Sequence, residues 1–236
     1  MRRHETFPNA PIEEALFDIG VLPAREDLLA LDDFSRRVVI EFPERRLRQK
    51  LVEGAAAKAD IKTEAHIVKD VGYSYHHSVT NKILQARLDG FSFSTLRPYK
   101  DWDTTLADFL KYFDLYFDSL RPKTVSRVGV RYINRIFLPL PMSSFEDYFE
   151  LWIKIPDTLP QSIIDLFSRV VIPFPEQGCI SVVTCAIEKP DSDRRALPCI
   201  FDIDCYKNVG CDPTKDNIMK EMNILRNVKN EIFLTF

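Results

Sequence analysis

The sequence predicts an α+β fold in which an antiparallel sheet, or two, carries helices on one face. Three observations support this. Several segments alternate apolar and polar residues as half-buried strands do, while two long segments repeat their apolar residues at helical spacing. Read coarsely, the order strand, helix, two antiparallel strands, helix occurs over 10–122 and again over 123–236. Two βαββα-type, ferredoxin-like halves in pseudo-repeat fit that order best, and a curved sheet closing towards a barrel is the main alternative. With seven glycines and no serine-rich linker, residues 1–236 are expected to form one compact unit.

The first strand is "EALFDIGVL" (14–22), with Ala15, Phe17, Ile19 and Val21 on one face and Glu14, Leu16 and Asp18 on the other. "AREDLLALDDFSRRV" suits a first helix. The charged stretch 45–70 reads as a loop or an irregular strand. Residues 72–96 read as a hairpin turning at Thr80-Asn81, with a further piece after Asp89-Gly90. "DWDTTLADFLKYFDLYFDSLRP" (101–122) is the clearest helix: Trp102, Leu106, Phe109, Phe113, Phe117 and Leu120 form an apolar stripe, the start is acidic and a proline follows. A strand is expected from about Thr124 to Leu138. "SSFEDYFEL" and "TLPQSIIDLFSRVVI" read as short helices, and "GCISVVTCAIEK" and "LPCIFDIDCYKNV" as paired strands. "TKDNIMKEMNILRNVKNEIF" is a final amphipathic helix.

A 45% hydrophobic, 11% aromatic chain of 236 residues has ample material for a core. Its 28% charged residues nearly cancel at a net −3, which excludes a bulk basic field for nucleic acid. No apolar run is long enough to span a bilayer, and the start has charge and proline where a signal peptide has its apolar region, so a cytoplasmic location is expected, with no membrane partner. The cysteines at 179, 185, 199, 205 and 211 lack the paired spacing of a zinc site, and the four histidines lie far upstream; reduced buried thiols are the expectation. No Walker loop, GxGxxG or GxSxG occurs, and no cofactor is expected.

The most singular stretch is "RVGVRYINRI" (127–136). Strand alternation places Arg127, Gly129, Arg131, Ile133 and Arg135 on one face and Val128, Val130, Tyr132, Asn134 and Ile136 on the other, with the arginines about 13 Å apart in a row. Gln85, Arg87, Glu188, Asp202 and Asp204 belong to other strands. If they share the arginine face, the bland outcome is a set of cross-strand ion pairs, each worth under about 1 kcal/mol. The sharper one is a groove whose arginine forks take a phosphate, a carboxylate or an acidic partner. Asp202 and Asp204, about 7 Å apart on one strand face, could hold a divalent ion if a third oxygen joined them. His76 and His77 point to opposite faces and suit a surface role.

Four segments, "NAPIEEALFDIGV", "FSFSTLRPYKDWD", "RVGVRYINRIFLP" and "LRNVKNEIFLTF", together resemble, in this order and over nearly the whole chain, a sporadically distributed prokaryotic family of similar length that is defined by sequence and has no assigned activity. The resemblance implies a stand-alone bacterial or archaeal cytosolic protein. Its scattered occurrence suits a mobile accessory role, such as antiphage defence or a toxin–antitoxin pair. The motif positions are Asn9, Pro11 and Glu13, then Arg97, Tyr99 and Trp102, then Arg127, Gly129, Arg131, Tyr132, Asn134 and Arg135.

The functional expectation is a non-enzymatic binding or regulatory module that meets an acidic partner or ligand through the arginine face. A protein partner or self-association is expected, with an anionic ligand as a further candidate. The binding candidates are Arg127, Arg131, Tyr132, Asn134, Arg135, Arg97, Tyr99 and Trp102, with no catalytic or metal-ligating residue assigned. The enzymatic alternative is a phosphate- or nucleotide-processing protein with a charged, strand-lined groove and a divalent metal.

Overall fold

The computed structural model describes residues 9–25, 27–54, 65–142, 144–150, 155–156, 158–160, 165–189 and 196–236. Its strands are β1 (Ile12–Val21), β2 (Glu44–Gly54), β3 (Ala65–His76), β4 (Lys82–Arg87), β5 (Gly90–Leu96), β6 (Val125–Pro139), β7 (Phe167–Phe174), β8 (Cys179–Ile187) and β9 (Ala196–Cys211). Its helices are α1 (Asp32–Val38), α2 (Trp102–Leu120) and α3 (Lys215–Thr235). The strands form one sheet in the order β2-β3-β4-β5-β1-β6-β9-β8-β7, and every ladder is antiparallel. The fold is thus mixed α+β on a single sheet. No helix among the described residues is long and apolar enough to cross a membrane.

Alternation in the sequence becomes alternation between the faces of the sheet. Ala15, Phe17, Ile19 and Val21 of β1 are buried, and β1 lies between β5 and β6, with Phe17 opposite both Phe93 and Val130. The helices cover this apolar face. Trp102 and Phe109 of α2 set their rings 4.7 and 5.8 Å from Phe17, and Phe233 of α3 lies 6.2 Å from Phe201 of β9. Each large side chain so buried contributes roughly 1.5–3 kcal/mol, and this layer holds the helices to the sheet. Caps fix where they begin: Asp101 accepts the Thr104 N–H at 2.7 Å and Thr214 the Asn217 N–H at 3.3 Å. Arg121, in the left-handed region at φ 46°, ends α2 before Pro122.

Several expectations change. Four strands, β2 to β5, follow α1, and three, β7 to β9, precede α3, where the coarse order had two in each half; the turn at Thr80-Asn81 and the further piece after Asp89-Gly90, which is β5, are both present. Because all ladders are antiparallel, the parallel neighbouring strands of a ferredoxin-like half do not occur among them. Among the described residues the sheet is also open, ending at β2 and β7, and its strands do not close into a barrel. Stretch 45–70 supplies β2 and part of β3; its residues 55–64 lie outside the described ones. The first helix divides into a 3-10 turn, Leu28–Leu31, and α1.

The helix expected across 158–172 gives way to β7, where Phe167, Arg169, Val171 and Pro173 are exposed and the alternate residues half-buried. The β-branched run Val170-Val171-Ile172 favours extended backbone, and the period is two. Residues 161–164 of that expectation lie outside the described ones. Ser144 does cap a helical start by accepting the Glu146 N–H at 3.1 Å, but only a 3-10 turn, Phe145–Asp147, follows.

Candidate functional site

β6 is the strand on which both candidate surfaces depend. On its helix-free face the arginines meet carboxylates from neighbouring strands. Arg127 donates to Asp18 at 2.6 Å, and Arg87 reaches the other oxygen of that carboxylate at 2.9 Å. Arg131 grips Asp202 with two nitrogens, Nε at 2.9 Å and Nη2 at 2.7 Å. Arg135 lies 2.8 Å from Glu188, and at the sheet's end Arg97 donates to Glu13 at 3.0 Å. The row is therefore an ion-pair lattice. The strand residues that could have opened a groove spend their charge on one another.

Glycine makes part of this lattice feasible. A Cβ on Gly129 would come within 3.0 Å of the Arg127 guanidinium, which crosses that position towards Asp18, the residue opposite Gly129 in the β1–β6 ladder. Asp204, also on this face, has its nearest guanidinium, that of Arg127, 4.0 Å away, and burial pushes its carboxyl above the ordinary range against the pull of Arg127 and Arg131. Asp202 is committed to Arg131, and among the described residues no group of three or more His, Cys, Asp or Glu could hold a metal ion. His77 belongs to a turn, where its Nδ1 accepts the N–H groups of Val79 and Thr80, both at 3.0 Å.

The opposite face of β6 leads to a cavity. Tyr132 and Asn134 point inward, each 2% exposed, and they line a pocket of about 150 Å³ together with Pro11, Tyr99, Trp102, Arg226, Lys229 and Phe233. Four of the eight binding candidates, Tyr99, Trp102, Tyr132 and Asn134, thus meet at one place, while Arg97, Arg127, Arg131 and Arg135 lie apart from it. Trp102 is 5% exposed and so is no surface aromatic for a partner to grip. Pro11 belongs here because its carbonyl accepts the Arg135 N–H at 2.7 Å, which sets the start of β1 beside the pocket.

Within the cavity some polar groups pair with one another and others do not. The phenols of Tyr99 and Tyr132 share a hydrogen bond of 3.1 Å, and the Asn134 amide donates to the Phe201 carbonyl at 3.0 Å. Asp101 spends its carboxylate on the α2 cap. Arg226 lies over the Trp102 ring, 5.0 Å from its centroid, and 3.7 Å from the exposed Asp103. Lys229 has its ammonium 4.1 Å from the centre of the Tyr132 ring and no carboxylate or carbonyl on it among the described residues. The buried Nε1 of Trp102 likewise has no acceptor.

Desolvation is the main physical cause of what these groups do with protons. Burial pulls the Lys229 ammonium down to about 8, aided by Arg226 and opposed by the Cys205 sulfur. Burial also raises the Tyr99 phenol, and Tyr132 well above its ordinary value. At neutral pH the pocket therefore presents a cation, Lys229, above two neutral phenols.

The sequence reading missed Arg226 and Lys229. Both lie in "LRNVKNEIFLTF", and with Phe233 they form a stripe at helical spacing beside the apolar one, Ile218, Met222, Leu225, Val228 and Ile232, that holds α3 down. The five cysteines are free thiols, four of them buried, with Cys185 and Cys199 3.4 Å apart on neighbouring strands. In comparisons with known proteins, no family model and no curated protein matches the chain.

Proposed function

We propose that the chain is a non-enzymatic binding or regulatory module that takes an acidic ligand, and that the ligand's anionic group enters the cavity between β1, β6, α2 and α3, with the arginine row serving the sheet. One observation carries this reading: each arginine of the row has a carboxylate, whereas the half-buried Lys229, set against the Tyr132 ring, has none among the described residues. An uncompensated buried cation costs several kcal/mol, and an anion that enters beside it recovers part of that cost. The halves 10–122 and 123–236 form a pseudo-repeat about the β1–β6 ladder in this reading, with the cavity under the seam. A cytoplasmic prokaryotic accessory system, of the antiphage or toxin–antitoxin kind, is the setting that the family resemblance implies.

The test is thermal unfolding in rising sodium acetate and in rising sodium phosphate, each against sodium chloride at equal ionic strength. A ligand that binds only the folded state raises the transition by mass action. At least one of the two anions is expected to raise the midpoint of the wild type and to leave Lys229→Met unmoved. Equal behaviour of the two proteins, or no rise in either, overturns the proposal.

A further inference from the structure

We infer that the ligand of the cavity is a monocarboxylate on a small, flat, apolar body, an inference that rests on the acidic-ligand reading above. The donors set the head group. The Trp102 indole N–H is buried without an acceptor, the half-buried Lys229 ammonium rests on the Tyr132 ring with no carboxylate on it among the described residues, and Arg226 has only a 3.7 Å approach from Asp103, whose side chain is 86% exposed. A group that only accepts hydrogen bonds satisfies all three, and a carboxylate offers two oxygens with about four acceptor positions. The local charge selects for one negative charge. The lining holds Lys100, Arg226 and Lys229 with Asp101 and Asp103, leaving one positive charge over, so a dianion such as phosphate is left undercompensated and pays more for desolvation.

The walls set the body. Trp102, Tyr99, Tyr132 and Phe233 give the cavity flat apolar sides, and a volume of about 150 Å³ is the size of cavity that accepts a benzene ring. Ring walls favour an aromatic guest in edge or offset contact. The mouth, among the exposed Lys100, Asp103 and Leu234, leaves space for a substituent to continue outwards.

Benzoate is the probe, titrated calorimetrically into the full chain beside acetate, inorganic phosphate and benzyl alcohol, with Lys229→Met and Arg226→Gln as variants. Benzoate is expected to bind at least about tenfold more tightly than acetate, since it adds a buried ring to the same head group, and more tightly than phosphate. Lys229→Met should abolish binding and Arg226→Gln should weaken it about tenfold or more. Phosphate or acetate binding as well as or better than benzoate, with loss in Lys229→Met, overturns the inference and leaves the acidic-ligand reading standing. Benzyl alcohol matching benzoate, or benzoate binding unchanged in Lys229→Met, overturns both, because the charge then plays no part. Absence of binding by every probe does the same. Lys229→Met replaces a buried charge with an apolar chain of similar shape, so the loss it tests is not a folding failure, and its melting transition shows that directly.

Discussion

The two faces of β6 treat charge in opposite ways. Towards the helix-free side, Arg127, Arg131 and Arg135 each lie against a carboxylate, and the charges of the lattice nearly cancel. Towards the helices, the strand presents Tyr132 and Asn134, and the cation against the Tyr132 ring, Lys229, comes from α3 with no carboxylate of its own among the described residues. A row of arginines is conspicuous in a sequence, yet its charge is consumed inside the fold. A single lysine is inconspicuous, yet it is the group with interaction left to give. The difference lies in compensation, which depends on pairing across strands far apart in the chain.

The lattice face makes the largest prediction. Asp18 accepts from Arg87 and Arg127 together and is 17% exposed, with the two arginines at 23% and 33%. Asp18→Ala leaves two part-buried guanidinium groups with only weaker carboxylate contacts, Arg87 with Asp89 at 3.4 Å and Arg127 with Asp204 at 4.0 Å, and is expected to cost about 3 kcal/mol, at the low end for breaking a buried pair because the arginines keep those contacts and some solvent. Chemical denaturation measures it. A loss under about 1 kcal/mol would mean that the lattice is merely a solvated face.

On the cavity side the sign reverses. Lys229→Met removes an uncompensated cation and is expected to stabilise the chain by about 2 kcal/mol at pH 7. The pH dependence sharpens this. An unfolded lysine titrates near 10.4, whereas folded Lys229 does so near 8. Between those values the unfolded chain holds a proton that folded Lys229 has released, so this group's contribution to stability rises with pH across that window. The groups that face Lys229 are Tyr132 on β6, Cys205 on β9, Tyr99 before α2 and Arg226 on its own helix. Buried groups with raised values oppose that rise in the whole chain. Cys205 does so from about pH 8.5, since it titrates near 12 when folded and near 8.5 when unfolded, and Tyr75 and Tyr112 do so from about pH 10, so the lysine is read from the difference between wild type and Lys229→Met. Stability curves of the wild type and Lys229→Met should converge between pH 8 and 10. Parallel curves would show that the ammonium is compensated after all.

Local pattern carried much of this architecture. The alternation in 14–22, the stripe of α2 and the faces of 127–136 were legible because each depends on near neighbours in sequence. β7 was misread because a short apolar run fits either period when its capping signals are weak, and β2 with the start of β3 was left open between loop and strand because a charged edge hairpin shows little apolar alternation, whereas the end of β3 and its turn into β4 at Thr80-Asn81 stand as read. Of the binding candidates, Tyr99, Trp102, Tyr132 and Asn134 converge on the cavity without any spacing in the chain to announce it. Arg226 and Lys229 were hidden by their position beside a strong apolar stripe, where a cation ordinarily lies at the solvent boundary. Whether a charge is paired depends on strand order, and the order β5-β1-β6-β9 joins segments from both halves.

Arg131→Ala separates the two faces at lower cost. The arginine is 44% exposed while its partner Asp202 is 14% exposed, so the two-pronged contact is worth about 1 kcal/mol after screening. The variant should lose that much stability and keep its affinity for benzoate. Loss of ligand binding in a folded Arg131→Ala would return the binding role to the arginine face.

The smallest effect belongs to Arg135. Its pair with Glu188 lies at 36% and 42% exposure, and the guanidinium also rests 5.4 Å from the centre of the Phe137 ring, a contact that needs no carboxylate. Arg135→Ala is therefore expected to cost below about 0.5 kcal/mol, and raising salt to 1 M should erase most of the difference from wild type, since an exposed pair is screened at that ionic strength. The backbone of Arg135 still donates to Pro11, a bond that the substitution leaves in place, so the start of β1 and the cavity beside it should hold. A loss several times larger, or one that persists in salt, would show that this pair is coupled to the rest of the lattice through β9, and that the arginine face acts as a cooperative network.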